Sequence, residues 1–344
     1  MSIIMTSREL VIRTLNHEPT ARAPRDLWIA DGMETSHSDA VAEMNLRFPG
    51  DIIQPDIAPS YGKRTRGKAN QLGVYTDSWG CAWQIAQSGA TAELKVSPLA
   101  EKGIIAEFRP PMELLDPARF SKVNKSCENT GRFVLARSET QPFDRLRFLR
   151  GYDAALIDLA RGTKDVRNLL KMLHEFSCKE MELWSNTEVD GVAIRDDWGT
   201  DDSLIISLEM WREIFKPLYR EYCKILHAKD KFVFFQSSGN MFDILGDLIK
   251  DGVDAVHVQL HLSDPEKVAK RFRGRVTFWG EIASQAVLRS GNPAELREEV
   301  LKIRRALDFG SGGVIAQCQW DPQISLQTIA AVFEQWLLPL PMHS

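Results

Sequence analysis

Six short runs of this chain are each followed by side chains able to do chemistry. Phe133–Arg137 leads into Ser138-Glu139-Thr140-Gln141, and Gly191–Arg195 into Asp196-Asp197-Trp198-Gly199. Lys231–Phe235 leads into Gln236-Ser237-Ser238-Gly239-Asn240, and Ala255–Val258 into Gln259-Leu260-His261. Val276–Trp279 precedes Gly280-Glu281, and Gly313–Ala316 precedes Gln317-Cys318-Gln319-Trp320-Asp321. Adjacent carboxylates repel, which pushes one pKa up into a range useful for proton transfer. Asp196, Asp197 and His261 are therefore candidate proton donors. Asp197 can equally cap the segment that follows it. Trp79, Trp83, Trp198, Trp279 and Trp320 can wall an apolar, ring-shaped pocket. Indoles also simply pack, so about two of these five are expected to touch a ligand.

The elements that must position these groups alternate. Apolar runs rich in Val, Ile and Phe are separated by helix-length segments at Ser207–Ala228, Met241–Lys250, Pro265–Phe272 and Pro293–Phe309. Such alternation means a parallel sheet. Six or more units in 344 residues favour a closed (β/α)8 TIM barrel over an open doubly wound sheet. The polar and aromatic tails of the strands then form the C-terminal rim, where barrel active sites sit. Ahead of this rhythm, Ser7–Asn16 is expected to be a helix capped by Ser7, and Asp26–Asp31 a first strand. Residues 50–112 hold many turn formers, the basic run Lys63-Arg64-Thr65-Arg66 and the aromatic stretch Tyr75 to Trp83. They are expected to be an insertion over the barrel mouth within a single domain spanning 1–344.

Composition narrows the class. Hydrophobic residues make up 44% and charged residues 26%, as in a water-soluble globular chain. With Lys+Arg 43 against Asp+Glu 47, the net charge is -4, and no basic excess points to nucleic acid or an anionic membrane surface. The five cysteines are odd in number and lack a CxxC pair, which argues against a disulfide framework and for a reducing cytoplasm. No apolar leader or membrane-length apolar run is present.

An ordered series of motifs resembles the uroporphyrinogen decarboxylase superfamily. Asn16-His17-Glu18-Pro19 with Ala23-Pro24-Arg25-Asp26 is similar to its opening helix and first strand. Asp77-Ser78-Trp79-Gly80-Cys81-Ala82-Trp83 and Arg150-Gly151-Tyr152 resemble signatures of its corrinoid-dependent methyltransferase branch. Asp196–Gly199, Ile206-Ser207, Trp211-Arg212-Glu213, Lys216-Pro217, Ser237–Asn240, Trp279–Ile282 and Gly312-Gly313 continue the series. The likeness covers about residues 7 to 335 and implies the barrel. It departs from uroporphyrinogen decarboxylase itself in lacking an arginine-rich N-terminal segment for tetrapyrrole carboxylates. Arg25, Arg64 and Arg66 are the candidates left.

The resemblance also implies ligand sets. Enzymes of the branch that act on coenzyme M hold zinc on an H-x-C pair and a later Cys; Gln236 and Ser238 stand at the pair, with Cys318 as the later ligand. Enzymes that demethylate phenyl methyl ethers use E-x14-E-x20-H, and Glu221, Gln236 and His257 stand at those spacings. Two helical turns and one strand can bring all three to one rim. The branch thus implies zinc on Glu221, Gln236 and His257, with Cys318 as an alternative ligand.

The expected activity is methyl transfer from a small aromatic methoxy substrate to the cobalt of a corrinoid protein. Zinc, or a proton donor, would make the ether oxygen a better leaving group. Two readings compete with it. One is a cofactor-free decarboxylase using Arg25, Arg195 and Asp197; the other is a barrel that binds ligand without turnover. Corrinoid or folate as acceptor, and a homodimer or a single copy, stay open at this level.

Overall fold

A computed structural model describes residues 5–338, apart from 31, 60, 61, 70, 88–91, 102 and 129. Eight parallel strands form a nearly closed barrel: β1 (Arg25–Ile29), β2 (Ile52–Ile53), β3 (Phe133–Arg137), β4 (Gly191–Arg195), β5 (Phe232–Gln236), β6 (Ala255–His257), β7 (Thr277–Trp279) and β8 (Val314–Trp320). Neighbours in space are neighbours in sequence, and β8 returns to pair with β1 from Arg25↔Ala316 to Ile29↔Trp320. The expected first strand ends at Ile29; Asp31 lies outside the described residues. β2, only two residues long, has no periodicity to announce it and lies inside the stretch expected to be an insertion.

Side-chain alternation sorts each strand. Phe133, Leu135, Ala193, Phe234, Ala255, Trp279 and Ile315 fill the barrel interior. Val134, Ala136, Val192, Ile194, Val233, Phe235, Val256, Phe278, Ala316, Cys318 and Trp320 face the helices. Each large apolar side chain so buried contributes about 1.5–3 kcal/mol. Helix Ser7–Leu15 plugs the N-terminal end of the barrel with Val11 and Leu15. Its cap is Thr6 rather than Ser7: Thr6 Oγ1 accepts from Glu9 N–H while the Glu9 carboxylate accepts from Thr6 N–H.

Three aspartates clamp the same end in one repeated pattern. Asp51, Asp190 and Asp254 directly precede β2, β4 and β6. Their carboxylates accept the backbone N–H of Arg25 (2.7 Å), Val134 (2.8 Å) and Val233 (2.7 Å) on the preceding strand. Their carbonyls accept from Phe133, Phe232 and Thr277 on the following one. Each also has a basic partner: Arg22, Arg8 or His227. A buried N–H left unmade costs about 1–3 kcal/mol, so each clamp ties three strands.

The outer helices follow the expected segments with one break. Ser207–Ala228 splits into Leu208–Ile214 and Lys216–His227, because Pro217 cannot donate to the preceding turn. Gly73–Thr76, Ala82–Ile85 and Glu93–Val96 form a three-stranded antiparallel sheet. It rests on helices Pro142–Arg150 and Lys164–Ser185 through Trp83 on Phe148, Trp79 on Phe176, and Asp77 near Arg145. Asp77 also accepts from the N–H groups of Trp79 and Cys81 and from Trp83 Nε1, which organises the DSWGCAW turn. Among the described residues, no helix is long and apolar enough to cross a membrane.

Candidate functional site

With one end plugged, the opposite end of the barrel carries the inward side chains that finish seven of the eight strands: Trp28, Arg137, Arg195, Gln236, His257, Trp279, Gln317 and Gln319. The register sets their heights. Arg195 pairs with Gln236 and Gln236 with His257, whereas Arg137 lies level with Ala193, one inward layer deeper than Arg195.

At the centre, the His257 imidazole stacks on Trp28 (4.6 Å, 16°), and Trp28 meets Trp279 edge to face (5.1 Å, 78°). Both indoles are fixed from below. Asp26 Oδ2 accepts Trp28 Nε1 at 2.8 Å and Trp279 Nε1 at 2.7 Å. Burial pushes the Asp26 carboxyl up towards its neutral form, against the pull of the two indole donors and Arg137. The Arg137 guanidinium lies 4.7 Å from the Trp28 ring centre, in cation–π contact.

His257 is buried and its pKa is pushed down to about 4, chiefly by desolvation, so the ring is neutral near pH 7. Its Nε2 lies 3.1 Å from Gln317 Oε1. An amide oxygen only accepts, so Nε2 carries the proton and Nδ1 is left as a bare acceptor. Nδ1 is buried without a partner, and so is Gln317 Nε2, a donor. Two buried polar atoms on this hydrogen-bonded pair of side chains, one of each kind, thus lack hydrogen bonds. Such atoms call for a water or a ligand to complete their bonding. Gly280 makes room for them: its φ is +72°, and a Cβ there would collide with Gln317 Oε1.

The sequence-predicted residues divide. Asp196 faces outward. Its carboxyl accepts from Phe143 N–H (2.9 Å), Asp144 N–H (2.7 Å) and Tyr219 OH (2.5 Å), and burial beside Asp144 holds its pKa well above the ordinary range. It positions the start of helix Pro142–Arg150 and does not open to the mouth. Asp197 is at the rim, accepting from Ser238 N–H at 2.9 Å and paired with Arg195 at 3.3 Å. His261 lies in the turn after β6, its Nδ1 3.7 Å from Glu281 Oε2. Burial and Glu299 push Glu281 up to about 7.

Of the five tryptophans, Trp279 alone is inward. Trp79 packs on Phe176 (4.8 Å), Trp83 on Phe148 (4.9 Å) and Trp198 on Phe143 (4.1 Å); Trp320 points outward and donates to Ile324 O. Arg25 is at the plugged end, beside Phe48. Trp28, Asp26, Arg137 and Gln317 were not anticipated; in a parallel strand both faces are apolar, so residue type alone does not show which face turns inward.

The zinc set is not assembled. Gln236 and His257 are neighbours inside the barrel, but Glu221 sits on the outer helix Lys216–His227, 46% exposed and 4.0 Å from Lys224. Its other electrostatic neighbours are His174 and Cys178, across the helix pair. Cys318 is on the helix-facing side of β8, and burial drives its thiol pKa upward, which disfavours the thiolate a metal needs. Among the described residues, no group of three His, Cys, Asp or Glu side chains is arranged to hold a metal ion.

Comparison with known proteins agrees with this architecture. A methyltransferase from Methanosarcina mazei is similar in fold, with a TM-score of 0.67 at 16% identity over 96% of this chain and 98% of that one. A glycosylated endo-β-1,4-xylanase from Gloeophyllum trabeum aligns over 98% of this chain and 100% of its own at 10% identity, with a TM-score of 0.47, too loose to carry an argument. No curated protein sequence matches. The family model of uroporphyrinogen decarboxylase matches residues 131–336, more than half of the chain and six of the eight barrel strands. The chain belongs to the uroporphyrinogen decarboxylase family.

Proposed function

We propose that this chain is a methyltransferase that holds a small aryl methyl ether in the barrel mouth and presents its methyl group to the cobalt of a corrinoid carried by a partner protein. One observation carries the reading: at the C-terminal end of the barrel, beside two packed indoles, two polar atoms are buried without partners, His257 Nδ1 and Gln317 Nε2. The overall likeness in fold to a methyltransferase supports it.

The corrinoid supplies the nucleophile; the chain's own work is to hold the ether and to receive charge. Breaking the methyl C–O bond leaves the electron pair on the aryl oxygen, which then takes a proton from solvent. Zinc on Glu221, Gln236 and His257 does not fit, since Glu221 is on the outer surface. Charge development on oxygen is instead met by fixed donors, Gln317 Nε2–H and the Arg137 guanidinium. The Asp26 carboxyl keeps both indoles from rotating, so the substrate meets a preset wall.

Arg137 and Arg195 at the same mouth also suit a decarboxylase that holds a carboxylate next to its cleavage site. One anaerobic assay separates the two. The purified chain is incubated with methoxylated benzenes and reduced cobalamin, following loss of the Co(I) absorbance and release of phenol. One phenol per cobalamin consumed, abolished in Trp28→Ala, is the expected result. Carbon dioxide from a carboxylated arene, with no phenol from any methyl ether, overturns the proposal in favour of decarboxylation; ligand binding with neither product leaves a non-catalytic barrel.

A further inference from the structure

We propose that the turn at 259–263 is a latch on the rim of the barrel, closed when His261 and Glu281 hold one proton between them. A latch of this kind acts on the rim whatever reaction the barrel performs.

The rim on either side is stapled. Between β4 and β5, Gly199 and Gly239 pack backbone on backbone, with no space for a Cβ on either. Four hydrogen bonds cross there: Gly199 N–H to Ser238 O (3.1 Å), Asn240 N–H to Thr200 O (2.7 Å), Trp198 N–H to Ser237 Oγ (3.0 Å) and Ser238 N–H to Asp197 Oδ1 (2.9 Å). The tail of β7 is tied to both neighbours, since Glu281 N–H donates to Val258 O (2.9 Å) and Ile282 N–H to Gln317 O (3.0 Å). Past Val258 the ties thin out. The turn bonds within itself, Leu262 N–H to Gln259 O and Ser263 N–H to Leu260 O. Among the described residues, its one hydrogen bond to the rest of the rim is Gln259 Oε1 accepting from Gly239 N–H at 2.7 Å. Leu260 lines an open-sided cavity of about 290 Å³ with Met241, Phe242, Leu245 and Val268, which gives the turn room to shift.

One link of this ring is left open. His261 Nδ1 stands 3.7 Å from Glu281 Oε2, beyond hydrogen-bond range, and that oxygen is buried without a partner. The His261 side chain is 31% exposed and that of Glu281 8%, so the ring is free to move against a fixed carboxyl. A closer approach of about 1 Å makes the bond. Among the described residues, His261 is the only basic group within ion-pair distance of Glu281. The other titratable groups facing it offer no positive charge. Glu299, on helix Pro293–Leu307, accepts from Ser284 N–H and Oγ–H and repels a second carboxylate; Cys318, on β8, is a buried thiol. Burial and Glu299 raise Glu281 to about 7, so its proton exchanges in the neutral range. With one proton between them, the pair is an imidazolium against a carboxylate, joined by a charge-assisted bond. A second proton neutralises the carboxyl and removes the attraction. Loss of the only proton to solvent leaves a carboxylate against a neutral ring. Closure is therefore strongest near neutral pH and weaker on either side. The turn follows β6 directly, so the latch bears on His257 and, through Gln259, on the loop at 237–240.

Hydrogen exchange of the intact chain, read by mass spectrometry at about pH 5, 7 and 9 and corrected for the intrinsic rate, tests this. Wild type, Glu281→Gln and His261→Gln are compared, with unfolding midpoints recorded to show that each is folded. In wild type, peptides covering 257–263 should be protected about three- to tenfold more at neutral pH than at either extreme. Both variants should lose that maximum, the double substitution should behave as either single one, and peptides covering 196–200 should show no maximum. Protection of 257–263 that is constant with pH in wild type, that changes in one direction only, that keeps its maximum in either variant, or whose maximum is shared by 196–200 would overturn the latch.

Discussion

Gln317→Leu separates a side chain kept for ligand from one kept for packing. Leucine preserves apolar bulk and deletes both amide atoms. In the ligand-free protein two effects oppose. His257 Nε2–H loses its acceptor at 3.1 Å, and a buried donor left unmade costs about 1–3 kcal/mol. Gln317 Nε2 is already buried without a partner, so deleting it relieves a penalty of about the same 1–3 kcal/mol. The net change should fall within about 1 kcal/mol, a midpoint shift of no more than about 4 °C. Ligand binding has no such offset: the loss of one donor weakens affinity by about 1–3 kcal/mol, or roughly 5- to 150-fold. Urea unfolding gives the first quantity and calorimetric titration with a methoxybenzoate the second. A variant that loses more than about 3 kcal/mol of stability while binding as well as wild type would refute the reasoning, because Gln317 would then be a packing residue whose orphan atom means nothing.

Other outcomes follow from the same geometry. The folded pKa of His257 is about 4 against 6.5 unperturbed, so unfolding takes up a proton between those values. Its contribution is intact above about pH 6.5 and is lost as pH falls towards 4, by up to about 3 kcal/mol; His257→Asn should flatten that limb of a urea-derived stability profile, and parallel profiles would contradict it. Glu281 has the opposite sign: its pKa is raised from 4.5 to about 7, so it disfavours folding increasingly as pH rises through that window. Glu281→Gln should therefore gain stability at pH 8 relative to pH 4, by up to about 3 kcal/mol. Gly280→Ala puts a side chain at φ +72° and drives a Cβ into Gln317. A loss above about 2 kcal/mol, with ligand binding abolished and partly restored by adding Gln317→Ala, is expected by chemical denaturation and titration. Glu221→Ala should leave bound metal and substrate affinity unchanged and shift stability by less than about 0.5 kcal/mol; loss of stoichiometric zinc by elemental analysis would restore the ligand set the structure separates.

The barrel is legible in the chain because its cause is local. Runs such as FVLAR and GVAIR match β3 and β4 residue for residue, and Pro265–Phe272 matches its helix, since Asp264 caps it and Pro265 starts it. β2 was not legible: two residues hold no period, and Ile52–Ile53 is a strand only because β3 lies beside it. The rim was also legible as a location, for the polar tails do follow the strands.

Which tails belong to a site is a different kind of fact. Trp198 and Trp279 are the same residue type just beyond or at the end of a strand, yet one is sealed among Phe143, Phe215 and Tyr219 and the other walls the barrel interior. Glu221, Gln236 and His257 keep a metal-like spacing, yet Glu221 turns to solvent because Tyr219, Tyr222, Cys223 and Leu226 take the buried face of its helix. Conversely, Asp26, Trp28, Arg137 and Gln317 have no motif, and they meet only because β1, β3 and β8 close on one axis. Strand and helix periods are properties of a few consecutive residues and so survive in one dimension. The direction in which a side chain points, and what waits for it across an eight-stranded ring, depends on register and closure, which only the folded chain determines.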